Sequence, residues 1–194
     1  MTNANEIEIF NRNISTFKST SQDDNDGNIF YMTESTIAVI NFDNVKNDYI
    51  RGMQLSNIPC SNDALYIGTE ETLTFVEFKN GIMKREKIYD VYYKIYDSLL
   101  ILGDILNKSI SYYREHLNFI LVYNEEKNPD CKDIGTSEVQ EAPSKIAIGR
   151  YFIERKAKKK FIRFGLDRFE KIYFKEVFTY NEIEFEKNFL CKLK

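Results

Sequence analysis

Asp63 opens the segment "DALYIGTEETLTFVEFKNG", and Glu77 and Lys79 stand at the end of its most apolar run. Two carboxylates and an amine brought to one place make a site for a hard divalent cation. The amine beside it can handle a proton or offset charge. The question is whether the chain folds so that these three residues meet.

Residues 63–68 and 72–79 read as two strands separated by "TEET", with "NG" closing the second. Side chains two apart share a face of a strand, so Glu77 and Lys79 lie with Leu73 and Phe75, while Thr74, Val76 and Phe78 take the other face. Both faces are largely apolar, as in a central strand covered on both sides. A lone charge buried there costs several kcal/mol, roughly, unless it finds a partner. An antiparallel hairpin supplies one, because it brings the start of the first strand beside the end of the second. Asp63 is therefore expected next to Glu77 and Lys79. The plainer alternative is a strand end emerging into solvent with its charges on the rim. An acid two residues before a lysine also occurs at Glu125/Lys127, Asp130/Lys132 and Glu154/Lys156.

The other elements are coarser. Ile88, Val91, Ile95, Leu99, Leu102 and Ile105 or Leu106 recur at helical spacing and predict a helix over 85–106. "LNFILVYN" (117–124) is a continuous apolar run of the length of a buried strand. Ile7, Phe10, Ile14 and Phe17 suggest an amphipathic helix over 5–19, followed by a loop at 20–28 and a strand within 29–50 around "TIAVINF". Past the loop "NEEKNPDCKDIGTS", Pro143 can open a helix through the basic cluster, "IYFKEVFTY" (172–180) reads as a strand, and Thr179 with Glu182 fits a capping box for a last helix. No repeat and no Pro-, Gly- or Ser-rich linker divides the chain. The expectation is one α/β domain of the α+β type over 1–194, with a mixed sheet flanked by helices and a helix–strand–helix extension over 143–194.

Composition bounds the function. The chain has 194 residues, of which 43% are hydrophobic and 14% aromatic, enough to build a core. No run of apolar residues is long enough to span a bilayer. Cys60, Cys131 and Cys191 form neither a disulfide framework nor paired metal-ligand spacing, "MTNANEIEIF" shows no secretion signal, and a reducing cytoplasm is the expected location. His116 is the only histidine, which argues against a His-based triad or zinc site, and the scattered glycines form no phosphate loop. The formal charge is −3, so any nucleic-acid contact would have to come from local basic clusters. "KNGIMKREK" contains Lys84 and Arg85, and "RKAKKKFIR" contains Lys156, Lys158, Lys159 and Lys160. Tyr112, Tyr113 and Arg114 would join them if that helix end lines a cleft.

"SNDALYIGTEETLTFVEFKNG", followed by a long amphipathic helix and then "NFILVYN", resembles the core of the PD-(D/E)XK nuclease superfamily over residues 60–124. Asp63 matches the first motif acid, in "ND" where the name-giving dipeptide is "PD", and Glu77 and Lys79 match the second pair. The resemblance implies a restriction-endonuclease-like sheet with an antiparallel meander. It also implies Mg²⁺ or Mn²⁺ held by Asp63, Glu77 and the Phe78 carbonyl, with Lys79 orienting the attacking water. Members often add an acid from the first helix, for which Glu6, Glu8 and Glu34 are candidates. They also add a polar residue on the following helix, where Lys94 is preferred over Lys87 and Asp97.

Two function classes follow from this reading. One is a metal-dependent nuclease acting on DNA, with RNA the second choice, in a defence system or a mobile element. The other is a catalytically idle binding module with the same fold, such as an immunity or inhibitor protein, whose partner would be a protein. A homodimer stays open in either case.

Overall fold

The computed structural model describes residues 7–25, 28–69, 71–129 and 162–193. Among the described residues there are eight strands: β1 (Ile14–Thr16), β2 (Gln22–Asn25), β3 (Asn28–Tyr31), β4 (Ala38–Asn41), β5 (Ala64–Ile67), β6 (Leu73–Lys79), β7 (Leu117–Tyr123) and β8 (Glu176–Asn181). The helices are α1 (Glu8–Asn11), α2 (Phe17–Thr20), α3 (Phe42–Tyr49), α4 (Arg85–Leu106), α5 (Ile110–His116) and α6 (Glu182–Asn188). Six strands make one sheet in the order β1-β4-β5-β6-β7-β8, and β2 and β3 form a separate hairpin.

The sheet is mixed, as the sequence suggests. β4, β5 and β6 run antiparallel in turn, with Ala64 opposite Val76 and Ile67 opposite Leu73. β7 then lies parallel to β6, from Leu73 beside Leu117 to Lys79 beside Tyr123, and β8 is parallel to β7. A parallel neighbour needs a crossover, which α4 supplies over the 22 residues that carry the helical apolar spacing. Alternation along the strands divides the core. Ile40, Leu65, Leu73, Phe75, Phe119 and Leu121 face a layer containing Val91, Ile95, Leu99 and Leu102 of α4. Val39, Ala64, Val76, Phe78, Ile120 and Val122 face a smaller layer with Phe17 and Phe185. β6 is thus central and covered on both sides. None of the helices among the described residues is long and apolar enough to cross a membrane.

Four expectations are corrected. The helix expected over 5–19 is interrupted by β1. The Asn13 side chain donates to the Ile9 carbonyl at the end of α1 (2.8 Å), and β1 then pairs with β4. Phe10 and Phe17 keep helical spacing in the sequence but lie in the cores on opposite faces of the sheet. The polar tract expected as a loop at 20–28 contributes strand residues to the β2–β3 hairpin. The capping box of α6 is built by Asn181 and Glu184, not Thr179 and Glu182, because Thr179 is still paired in β8. That strand also starts later than expected: Lys171 takes a left-handed φ of 64° and Lys171 N–H closes a turn on the Phe174 carbonyl at 2.8 Å. The helix expected from Pro143 lies outside the described residues.

Candidate functional site

Glu77 lies on the α4 side of β6, in the same alternating row as Leu73 and Phe75. Its side chain is completely buried, so an ionised carboxylate there requires counter-charge. Lys79, two residues on and on the same face, places Nζ 2.8 Å from Glu77 Oε1. Lys94 approaches from α4. Its neighbours Val91 and Ile95 are buried against the sheet, which leaves Lys94 on the flank of the apolar stripe and able to turn toward the strand end. Lys94 Nζ lies 2.6 Å from Glu77 Oε1 and donates to Asp63 Oδ1 at 2.9 Å.

Asp63 stands just before β5, beside the end of β6, as the hairpin geometry requires. Its other oxygen, Oδ2, accepts the Phe78 N–H at 2.7 Å, which extends the antiparallel ladder by a side chain. The residues leading into Asp63 are clipped to α4: Cys60 N–H donates to Asp97 Oδ2 and Asn62 N–H to Ser98 Oγ, each at 2.8 Å. Asp97, one of the polar residues considered on this helix, therefore fixes the backbone that carries Asp63. The Asp63 carbonyl in turn accepts the Phe42 N–H at 3.1 Å, tying the start of α3 to the site.

That contact brings in Asp43, which sequence reasoning missed. The Asn41 side chain accepts the Asn44 N–H at 3.0 Å and caps α3, placing Asp43 in its first turn. Asp43 Oδ1 accepts a hydrogen bond from Ser61 Oγ at 2.5 Å. The available signal was "NFDNV", a helix-capping Asn ahead of an apolar residue; it predicts the helix but not which site its first turn faces. Burial, and then repulsion from Asp63, raise the Asp43 carboxyl above the usual range, against the Ser61 hydrogen bond and the Lys94 charge.

The electrostatics of the central group are set by one balance. Burial opposes the charge on Lys94, but the Glu77 and Asp63 carboxylates outweigh it and raise its pKa. Glu77 is pushed up by burial and by Asp63, against the pull of Lys94 and Lys79. With two ammonium groups at contact distance on one oxygen, we treat Glu77 as a carboxylate. Two acids and two amines then cancel. Glu77 Oε2 has no hydrogen-bond partner among the described residues.

Beside this group lies a cavity of about 480 Å³ whose lining includes Asp43, Asp63, Phe78, Lys79, Lys87 and Lys94. Its rim at residues 80–83 is held by asparagines: Asn128 Oδ1 accepts the Met83 N–H at 2.7 Å, and Asn124 Nδ2 donates to Asn80 Oδ1 at 2.9 Å. Lys84 and Arg85 are exposed where this rim enters α4, with the Arg85 guanidinium 5.6 Å from the Tyr89 ring centroid.

Other candidates lie elsewhere. Glu34 pairs with Lys18 at 2.6 Å on the surface, and Glu8 pairs with Arg12 at 3.6 Å, so neither contributes to the Asp63–Glu77 cluster. Glu6, Lys156, Lys158, Lys159 and Lys160 lie outside the described residues. Tyr112, Tyr113 and Arg114 precede the start of β7, at the opposite end of the sheet from the site; Tyr113 is buried and Arg114 Nε donates to the Ile172 carbonyl at 3.2 Å. His116 stacks on Tyr112 at 4.3 Å, also at that far end. Among the described residues, no group of three or more His, Cys, Asp and Glu side chains is placed to hold a metal ion. No family model matches the chain, and neither do any curated protein or solved structure.

Proposed function

We propose that this chain is a metal-dependent nuclease of the PD-(D/E)XK type, acting on DNA in preference to RNA. The observation that carries the reading is the convergence of Asp63, Glu77 and Lys79 beside one cavity, at the end of an antiparallel strand pair whose second member is followed by a helical crossover to a parallel strand. An antiparallel meander carrying these residues is what the resemblance implies, and it supports the reading.

The donor set suits Mg²⁺ or Mn²⁺ in three respects. A single ammonium already contacts one oxygen from each carboxylate, so the pair can share one cation. Glu77 Oε2 is buried without a hydrogen-bond partner among the described residues. The Phe78 carbonyl leaves β6 on the same side as its N–H, which donates to Asp63. Asp63, Glu77 and the Phe78 carbonyl would hold the ion. When bound, the ion would polarise the scissile phosphate and lower the pKa of a water. Lys79 would orient that water and offset charge on the phosphate, while Lys84, Arg85 and Lys87 would hold the backbone on either side of it.

One observation favours a second reading, the catalytically idle module. Lys79 and Lys94 already neutralise Asp63 and Glu77, so the site has little residual pull on a cation. The deciding experiment incubates mixed DNA and RNA substrates with the protein and Mg²⁺ or Mn²⁺. The expected result is metal-dependent cleavage that Asp63→Ala abolishes. Intact substrates under both metals, together with stoichiometric capture of a protein partner, would establish the idle module instead.

A further inference from the structure

Among the described residues, Lys94 is the side chain that contacts both site carboxylates, through Asp63 Oδ1 and Glu77 Oε1. Lys79 is ion-paired with Glu77. The ammonium of Lys94 therefore stands where a cation shared by Asp63 and Glu77 would stand. We infer that Lys94 is a resident counter-cation that keeps this position shut until a divalent ion displaces it, so that metal loading is an exchange of one cation for another. The inference rests on the metal-site reading above and concerns how that site is regulated.

Physical chemistry favours exchange over simple addition. Glu77 is wholly buried beside Asp63, and without Lys94 the two carboxylates would share the single ammonium of Lys79, so loss of Lys94 is favoured only when another cation replaces it. With Lys94 in place, two acids face two amines. Once it moves out, Asp63, Glu77 and Lys79 carry one net negative charge, which attracts a cation. The displaced ammonium also has somewhere to go. Lys94 lines the cavity of about 480 Å³, and Asp43, whose charge it already senses, lines that cavity too. Lys94 rises from a long, well-packed helix, so its four-carbon stem can swing without disturbing the backbone that carries it.

The apparent affinity of a site that is open only part of the time falls by the open fraction, so removing the competing ammonium raises affinity. The test titrates Mn²⁺ into the full-length chain and follows free Mn²⁺ by electron paramagnetic resonance. Lys94→Met keeps the length of the stem and removes the charge; it should bind Mn²⁺ at least about tenfold tighter than wild type. Lys94→Arg retains the charge in a fork that grips carboxylates more firmly and should bind more weakly than wild type. The order Met, Lys, Arg supports the inference. Equal affinities, or weaker binding by Lys94→Met, overturn it. Where Lys94→Met does not fold, Lys94→Arg decides alone: reduced affinity supports the inference, and affinity equal to wild type overturns it. Cleavage plays no part in this readout. An inactive chain with the expected Mn²⁺ order removes the nuclease reading and leaves the exchange standing; an active chain with equal affinities does the reverse.

Discussion

Replacing Lys79 with Ala separates catalysis from stability at a buried site, because the structure gives Glu77 a second partner. The substitution removes an ammonium 2.8 Å from Glu77 Oε1 and leaves Lys94 Nζ at 2.6 Å on the same oxygen. Stripping a buried charge of its only partner costs about 3–5 kcal/mol. With Lys94 retained, Lys79→Ala should cost on the order of 1–2 kcal/mol, toward the value of a single charged hydrogen bond. At this chain length that lowers Tm by roughly 2–4 °C per kcal/mol. Lys94→Ala breaks contacts to both Glu77 and Asp63 while Lys79 stays on Glu77, and should cost about twice as much, on the order of 2–4 kcal/mol. Turnover should be hit hard, since losing one preorganised charge at a reacting phosphate costs about 10²–10³-fold. Nucleic-acid affinity should change by no more than about threefold, because the surrounding basic side chains remain. Urea unfolding followed by circular dichroism, single-turnover cleavage of labelled DNA in Mg²⁺, and fluorescence anisotropy measure the three quantities. If Lys79→Ala destabilises as much as Lys94→Ala, Lys94 does not sustain Glu77 as described. Turnover within about threefold of wild type would remove Lys79 from the reacting centre.

Asp43 should give the site a pH dependence of stability. Its carboxyl is raised above 3.8 by burial first and by Asp63 next, so the folded chain binds this proton more tightly than the unfolded chain and loses stability as pH rises through that window. Asp43→Asn keeps an acceptor for Ser61 and removes the charge; its melting temperature relative to wild type should improve from about pH 4 to about pH 7, and a decline over that range would contradict the assignment. Asn181→Ala removes the acceptor for the Glu184 N–H at 2.7 Å and a donor to Glu125 at 2.9 Å, and should cost about 1–2 kcal/mol with faster amide exchange across α6. Mn²⁺ affinity should be unaffected by that change, because β7 separates the cap on β8 from the site on β6; a parallel loss of metal binding would show that α6 supports the site.

The elements that carry the site could be read in the sequence because their information is local. Alternation over 72–79 and helical spacing over 85–106 are properties of consecutive residues, and β6 and α4 form where those periods lie. The meeting of Asp63 with Glu77 and Lys79 was legible for a related reason: a short antiparallel hairpin converts sequence order directly into spatial order. The failures began where a residue's partner is distant in the chain. Phe10 and Phe17 satisfy a helical repeat, yet pairing of β1 with β4 breaks that helix and sends the two rings to opposite sides of the sheet. Asp43 was invisible as a site residue, since capping specifies where α3 starts and not what its first turn faces. Lys94 was already the preferred polar residue on its helix, but its contact with both carboxylates was set by the packing of α4 over a fully buried Glu77, because a carboxylate removed from water draws in whatever cation the surrounding fold can deliver.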